Sequence, residues 1–422
     1  MLSILNSYKK NSDLQIIGVA GEHGKTTTSE LLWYIFQQNG LHASKLNSTG
    51  KFITELDEKV TSDNCSKKDI TKFISESQKS NCDIAIIELD SKKLNKSLFS
   101  NIAFNSVGIS SVGDLENPAP YRKLLESIKE EGLLTVTAED KDFISWLISQ
   151  SEEINKTIFC YWVDINNLNE KDFDETGVNL DFYSEGKINS KLKGMYSYEN
   201  IYLAIRLASN FMPVRNAVEA VSSFEPIPGR FDVAHKDKFS VIVDAAKHPF
   251  QLKKSLDYLS KIKDGSKKII SVASVAEDLA NAARSIGDLI TNYSDILILG
   301  PSDSNNMQTF DLNSQLHIGA ESKRGRLIDR YFSTEESGAA DKYKLANRIF
   351  NSMQQGDVPV LAFDAHDYTG RLDAIKMALL LADPGDIVYI MGKGDEKTIT
   401  FDNTDYEWSD YEALRLALDA LN

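Results

Sequence analysis

The stretch from residue 14 to residue 38 constrains this chain more than any other. Leu14-Gln15-Ile16-Ile17-Gly18-Val19-Ala20 is a mostly apolar run of strand length, and Gly21-Glu22-His23-Gly24-Lys25-Thr26 follows it directly. Residues 27–38 then carry Leu31, Leu32, Ile35 and Phe36 at helical spacing, and Gly40 closes the segment. Strand, glycine-rich turn, helix is the context that a phosphate-binding loop requires. Glycines let backbone N–H groups approach phosphate oxygens, and the helix N-terminus adds a partial positive charge. Lys25 can neutralise phosphate charge, and the Thr26 hydroxyl can ligate Mg²⁺. The common eight-residue form of such a loop has glycine where Val19 stands, so the generic pattern is one position short. His23 reads as a loop-tip side chain rather than a catalytic base. A glycine turn that binds nothing is the bland alternative.

A chain of 422 residues is too long for one core and predicts about two or three domains. With 42% apolar and 26% charged residues, the composition is that of a soluble globular protein. No apolar run of about eighteen residues is present, and the first residues show no basic segment followed by an apolar one. Neither a membrane span nor a signal peptide is expected. Cys65, Cys82 and Cys160 form no Cys-x-x-Cys pair, which argues for reduced cytoplasmic thiols over a disulfide framework or a zinc site. The net charge of −15 would repel a phosphate backbone, so no nucleic-acid partner is expected.

Further along, strands are expected at residues 82–89 and 107–112 and a helix at residues 121–132. Residues 150–193 are more polar, with short strands near 158–163 and 178–183, and a helix follows at 198–210. Phe224-Glu225-Pro226-Ile227-Pro228-Gly229 is the best linker, with two prolines and a glycine in six residues. After it the pattern restarts with strands at 240–244, 268–273, 294–299, 359–363 and 386–391 and a helix at 251–261. The acidic run from Asp402 to Asp410 reads as a solvated loop, despite Trp408. Strands alternating with helices imply α/β units with wound, mostly parallel sheets. The domains expected are 1–225 and 226–422.

The segment Gly18-Val19-Ala20-Gly21-Glu22-His23-Gly24-Lys25-Thr26-Thr27-Thr28 resembles the ATP loop of the Mur ligase family. Six further pieces match in order. They are Ile87-Glu88-Leu89-Asp90-Ser91, residues 121–129, Gly194-Met195-Tyr196-Ser197-Tyr198-Glu199-Asn200, Gly229-Arg230-Phe231-Asp232, Val243-Asp244-Ala245-Ala246-Lys247-His248-Pro249, and Pro384-Gly385-Asp386 leading to Gly392-Lys393-Gly394-Asp395-Glu396. The pattern is similar to the UDP-N-acetylmuramyl-tripeptide synthetase (MurE-like) branch. That resemblance implies a P-loop-type central ATPase domain followed by a smaller Rossmann-like C-terminal α/β domain. It implies ATP and Mg²⁺ as cofactors, and an amide bond formed through an acyl phosphate between a muropeptide-like acceptor and an amino acid.

Residue roles follow from the same resemblance. Gly21, Glu22, His23, Gly24, Lys25, Thr26 and Thr27 would line the phosphates, with Asn200, Arg230 and Asp244 as further ATP contacts. Thr26 and Glu88 would hold Mg²⁺, and a carboxylate suits that hard cation. Lys129 would be the family's carbamylated lysine, supporting a second metal; a plain surface lysine is the alternative, and Lys123 is nearby. Lys25, Glu88 and Lys129 are thus the expected catalytic groups. Lys393 and Glu396 would contact the incoming amino acid. For Asn200 a residue near a helix start, and for Arg230 an ordinary ion pair, are the plainer readings.

The chain also departs from the family pattern. Lys92 stands where histidine is usual, Asp114 is followed by Leu115, and Ser197 replaces the first asparagine of a pair. Ala245-Ala246-Lys247 replaces Tyr-Ala-His, Ser274-Val275-Ala276-Glu277-Asp278 replaces an arginine-bearing stretch, and Ser302-Asp303-Ser304-Asn305 stands where Asp-Asn-Pro-Arg would read a diamino acid. The family's UDP-gripping N-terminal domain is expected to be missing, with a protein partner as one way to replace it. A folylpolyglutamate-synthetase-like ligase and a catalytically degenerate ATP-binding partner protein are the competing readings. The former family's loop ends Gly-Lys-Gly-Ser, unlike Gly24-Lys25-Thr26-Thr27.

Overall fold

The computed structural model describes residues 13–53, 56–58, 66–90, 94, 102–112, 117–137, 141–154, 157–162, 173–174, 177–182, 184–333, 335–336 and 342–421. Cys65, Lys92, Asp114 and Leu115 lie outside the described residues. Two compact units emerge, Met1–Glu225 and Pro226–Asn422, divided inside the proline- and glycine-bearing segment.

The first unit is built on β1 (Gln15–Ala20), β2 (Ala43–Asn47), β3 (Gly50–Ile53), β4 (Leu56–Glu58), β5 (Ile84–Glu88), β6 (Phe104–Ile109), β7 (Ile128–Val136) and β8 (Ile158–Trp162). These form one sheet in the order β4-β3-β2-β5-β1-β6-β7-β8. The six strands from β2 to β8 in that order run parallel, whereas β3 and β4 are antiparallel additions at the edge. All five side chains of β5, Ile-Ala-Ile-Ile-Glu, are buried. That follows from a parallel strand covered on both faces, which needs apolar residues at consecutive positions. Helix α1 (Lys25–Gln38) buries Leu31, Leu32, Ile35 and Phe36, the positions spaced for one face. Each contributes roughly 1.5–3 kcal/mol through burial. The unit also holds α2 (Lys67–Lys79), α3 (Ala119–Glu126), α4 (Lys141–Glu153), the small sheet of β9 (Phe173–Asp174), β10 (Gly177–Asp181) and β11 (Lys187–Ser190), then α5 (Met195–Ala208) and α6 (Val214–Val221).

The helix expected over residues 121–132 is shorter. It ends at Glu126, and β7 begins two residues later, with Ile128 in register with Phe104. Ser127 closes α3 by donating its hydroxyl to Leu124 O, and Glu131 takes φ 56°, outside the helical region. Ile128, Leu133 and Leu134 are buried in the sheet, so packing overrides helix propensity.

The second unit contains β12 (Asp232–Lys236), β13 (Ser240–Asp244), α7 (Pro249–Ile262), β14 (Ile269–Ala273), α8 (Ala283–Thr291), β15 (Ile296–Leu299), α9 (Thr309–Glu321), β16 (Gly325–Tyr331), α10 (Lys342–Gln354), β17 (Val358–Phe363), α11 (Tyr368–Leu381), β18 (Ile387–Met391), the hairpin β19 (Thr398–Phe401) and β20 (Thr404–Glu407), and α12 (Asp410–Asp419). Its main sheet runs β12-β13-β18-β14-β15-β17-β16, parallel except for β12. Two apolar clusters cover its two faces, one with Leu252, Leu256 and Ile286, the other with Ile375, Met377 and Leu414. Both units are α/β with wound, mostly parallel sheets.

The acidic run at 402–410 is not simply a solvated loop. Thr404–Glu407 is an exposed strand, but Trp408 and Asp410 are buried. Asp410 accepts two hydrogen bonds from the fully buried Arg371 (2.7 and 2.8 Å) and one from Trp408 Nε1 (2.9 Å). A buried carboxylate needs such partners, and the partner that explains it lies 39 residues away in sequence. Among the described residues no helix is long and apolar enough to cross a membrane.

Candidate active site

Parallel register places four chain segments at one end of the first sheet. Val19 pairs with Glu88, Ala20 with Ile109, and Ile109 with Val136, so the C-terminal ends of β1, β5, β6 and β7 lie side by side. In open α/β sheets this is the end at which ligands bind. The loop after β1 reaches α1 through Gly21 (φ 123°) and Gly24 (φ 82°). A Cβ on Gly21 would come within 2.3 Å of Ser110 Oγ, and one on Gly24 within 2.0 Å of Asn200 Oδ1. Glycine is required at both positions by conformation and by space.

Gly24 is the residue before α1, and no side chain caps the helix. The N–H groups of its first turn, at Lys25, Thr26 and Thr27, therefore lack intrahelical acceptors and face the loop. Lys25 Nζ reaches back over the same loop, donating to Gly21 O (2.8 Å) and Glu22 O (3.2 Å). The N–H groups of Glu22 and His23 are committed elsewhere, to Ser111 O at 2.9 and 3.1 Å. The loop so formed brings the first-turn N–H groups of α1 and the Lys25 ammonium together. A phosphate fits that chemistry.

Thr26 faces Glu88. Its Oγ1 lies 3.3 and 3.2 Å from the two carboxylate oxygens, and Ser48 Oγ is 2.6 Å from Thr26 Oγ1. The Ser48 N–H donates to Glu88 Oε2 (3.0 Å). One carboxylate and two hydroxyls beside the first turn of α1 are a hard-oxygen donor set suited to Mg²⁺, which takes one or two protein carboxylates and completes its shell with phosphates and water. Sequence reasoning missed Ser48. It sits at the tip of the β2–β3 hairpin and belongs to no motif; only the pairing of β2 with β5 brings it to Glu88. Asn200 lies on α5 against the loop, with Thr28 Oγ1 3.5 Å from its Oδ1.

Lys129 is not brought to this cluster. It follows Ile128 at the start of β7, beside Phe104 and hence at the N-terminal edge of the sheet, opposite the loop. Its Nζ donates to Asn105 Oδ1 (3.1 Å), and Asn105 in turn reaches Gln15, the first residue of β1. The early end of α3 puts Lys129 in a strand rather than in the helix expected over residues 121–132. Lys123 is exposed on α3.

The remaining expected residues belong to the second unit. Asp244, at the end of β13, is saturated within that unit. It accepts from Phe231 N (3.2 Å), Ala246 N (3.3 Å), Ser255 Oγ (2.8 Å) and Tyr389 OH (2.7 Å). These bonds hold Phe231 at φ 54°, a left-handed conformation costly for a bulky residue. Arg230 lies 3.5 Å from Asp395. Lys393 is buried, with Nζ 2.9 and 2.8 Å from the Asp303 carboxylate and 2.5 Å from Glu396 Oε2. Glu396 Oε1 also accepts from Lys247 (3.3 Å). Burial works against the charge on Lys247, but Glu396, Asp278 and Asp303 outweigh it and hold the ammonium above its ordinary pKa. Burial likewise pushes Glu396 up, but Lys393 and Lys247 outweigh it and leave the carboxyl below the usual range. Two departures from the family pattern, Lys247 and Asp303, are thus the partners of Glu396 and Lys393.

Comparison with known proteins agrees with this geometry. Residues 19–208 match the Mur ligase middle domain, the span that carries the loop, Glu88 and Asn200. The chain is 23% identical over 436 residues to a UDP-N-acetylmuramyl-tripeptide synthetase of Borreliella burgdorferi, covering 96% of this chain and 76% of that protein. Among solved structures it is similar to a UDP-N-acetylmuramoyl-L-alanyl-D-glutamate–2,6-diaminopimelate ligase, with a TM-score of 0.59, 19% identity, and 97% and 79% of the two chains covered. A folylpolyglutamate synthase of Thermotoga maritima gives a TM-score of 0.58 at 14% identity, covering 93% and 89%. At these identities the solved structures speak for the shared fold. Residues 19–208 thus carry a Mur ligase middle domain, and the chain is similar to Mur ligases along nearly its whole length.

Proposed function

We propose that the chain is an ATP-dependent carboxylate–amine ligase that adds an amino acid to a muropeptide-like acceptor in the cytoplasm. The observation that carries this reading is the meeting of Thr26, Ser48 and Glu88 beside the uncapped first turn of α1, under Lys25. ATP would supply the phosphoryl group that turns a carboxylate into an acyl phosphate, leaving ADP; an amine would then attack the acyl carbon with loss of inorganic phosphate, and Mg²⁺ would neutralise phosphate charge. The chain's own residues do the holding. The N–H groups of Lys25, Thr26 and Thr27 and the Lys25 ammonium bind the phosphates, while Thr26, Ser48 and Glu88 hold the cation. Asn200 orients the loop from α5. All of these are fixed before reaction, and preorganised donors of this kind are the main means of phosphoryl-transfer catalysis. In the second unit, Arg230 is the residue suited to phosphate, because its donors form a fixed fork. Lys393 and Glu396 stand beside the end of β18, where an amino acid would be read.

The test is phosphate release from ATP with Mg²⁺, scanning muropeptide acceptors against a panel of amino acids. Release that needs both an acceptor and an amino acid, and that Lys25→Ala abolishes, is the expected result. ATP binding without release by any pair would favour a degenerate, ATP-binding relative. That second reading draws on one observation: Lys393 is buried and already bonded to both Asp303 and Glu396.

A further inference from the structure

The Ser48-Thr49 tip is held by a side chain that belongs to no recognised motif. Helix α1 carries Thr26 and Glu30 four residues apart, hence on one face. Thr26 points to the cation cluster. Glu30, one turn on, is buried, and its carboxylate accepts from Lys45 Nζ (2.6 Å to each oxygen), Asn47 Nδ2 (2.7 Å) and Thr49 Oγ1 (2.6 Å). Lys45 also lies over the Trp33 ring, 4.3 Å from its centroid. Asn47 adds a bond to Ser29 Oγ (3.0 Å) and accepts from Thr49 N (3.0 Å). Both neighbours of Ser48 are therefore anchored on Glu30 or beside it.

Two-residue hairpin tips favour Asn-Gly or Gly because twist-matched turns need positive φ. Ser-Thr lacks that preference, and neither residue is among those with positive φ. Asn47 and Gly50 (φ 143°) flank the tip and favour a turn there, and the side-chain bonds of Asn47 and Thr49 add to them by tying the tip to Glu30.

We propose that Glu30 is a positioning residue for the cation site: it clamps the β2–β3 tip so that Ser48 stands opposite Thr26 and Glu88. The proposal rests on the reading of that cluster as a Mg²⁺·ATP site. Outer residues that orient metal ligands commonly change metal affinity about 10–100-fold when lost. Among the described residues the bonds of Glu30 go to Lys45, Asn47 and Thr49 rather than to the phosphate loop, so metal-free nucleotide binding is left alone.

The experiment is titration of the full chain with a non-hydrolysable ATP analogue, in EDTA and again with Mg²⁺. In the native chain Mg²⁺ tightens binding. In Glu30→Gln that gain falls about tenfold, while affinity in EDTA stays within about twofold of native. Thr49→Val breaks the link without removing a charge and loses about threefold of the gain, as one hydrogen bond would. It separates clamping from a direct effect of the Glu30 charge, and it carries the test if Glu30→Gln does not fold. An undiminished Mg²⁺ gain in Thr49→Val, or in a folded Glu30→Gln, overturns the clamp and leaves the nucleotide site standing. No Mg²⁺ gain in the native chain overturns the reading of the site itself.

Discussion

The two units use charge in opposite ways. At the end of the first sheet, no side chain among the described residues caps the first turn of α1, and Lys25 bonds there to carbonyls of its own loop. At the corresponding end of the second sheet, charges close on one another. Lys393 is bonded to Asp303 and Glu396, Glu396 to Lys247, and Arg371 to Asp410, Ser274 and Met391 O. Open donors cost stability and are kept for a ligand, whereas paired buried charges hold loops in place without inviting one. The difference teaches that clustered charge is weak evidence of a site until its partners have been counted.

Substitutions can break this contrast. The largest effect is expected at Arg371, fully buried against Asp410. Arg371→Ala should cost about 3–5 kcal/mol by leaving Asp410 buried and unpaired. Chemical denaturation would show it, and a loss under about 1 kcal/mol would mean the second unit tolerates open charge. Next is Lys25→Ala, expected to lower ATP-dependent phosphate release about 10²–10³-fold, the usual cost of removing a preorganised donor. Stability should hardly move. A variant that unfolds but turns over normally when folded would reverse the assigned roles.

A pH experiment sharpens the second half of the comparison. The Glu396 carboxyl is lowered by Lys393 and Lys247 despite burial. Its contribution is therefore present above the ordinary glutamate value, about 4.3, and is lost as pH falls through the lower folded value. Lys247 is raised, so its contribution is present below the ordinary lysine value and is lost as pH rises through the higher folded one. The difference in melting temperature between the native chain and Glu396→Gln should close as pH drops below about 4. A difference unchanged at pH 3 would show that the network contributes nothing through charge.

The smallest effect is expected at Lys129. At the far edge of the sheet, Lys129→Ala should change stability by no more than about 0.5 kcal/mol and leave the Mg²⁺ dependence of nucleotide binding as it was. A large loss of metal dependence would return Lys129 to the site.

Legibility in the sequence followed the range of the interaction. The β1–loop–α1 segment reads directly, because strand, glycines and helix are contiguous and each makes its own local demand. Buried strands such as β5 and β13 were legible for the same reason: consecutive buried positions carry the signal, five in β5 and four in β13. The end of α3 was misread because Ile128 follows the helical pattern until its pairing with Phe104 wins. Ser48 and Glu30 were invisible because their role depends on a hairpin returning to the loop. Asp410 looked like one more surface acid because Arg371 is remote in sequence. For Lys393 and Glu396 the motif was visible, but Asp303 and Lys247 stood only as departures from a pattern, not as partners.

A Mg²⁺·ATP site at the C-terminal end of the first sheet is the central proposal. The most direct measurement is an anomalous difference map from crystals grown with Mn²⁺ and a non-hydrolysable ATP analogue. The account predicts a metal peak among Thr26 Oγ1, Ser48 Oγ and the Glu88 carboxylate, with phosphates against the N–H groups of Lys25 and Thr26. Nucleotide bound elsewhere, or bound in the loop with no metal at Glu88, would contradict it.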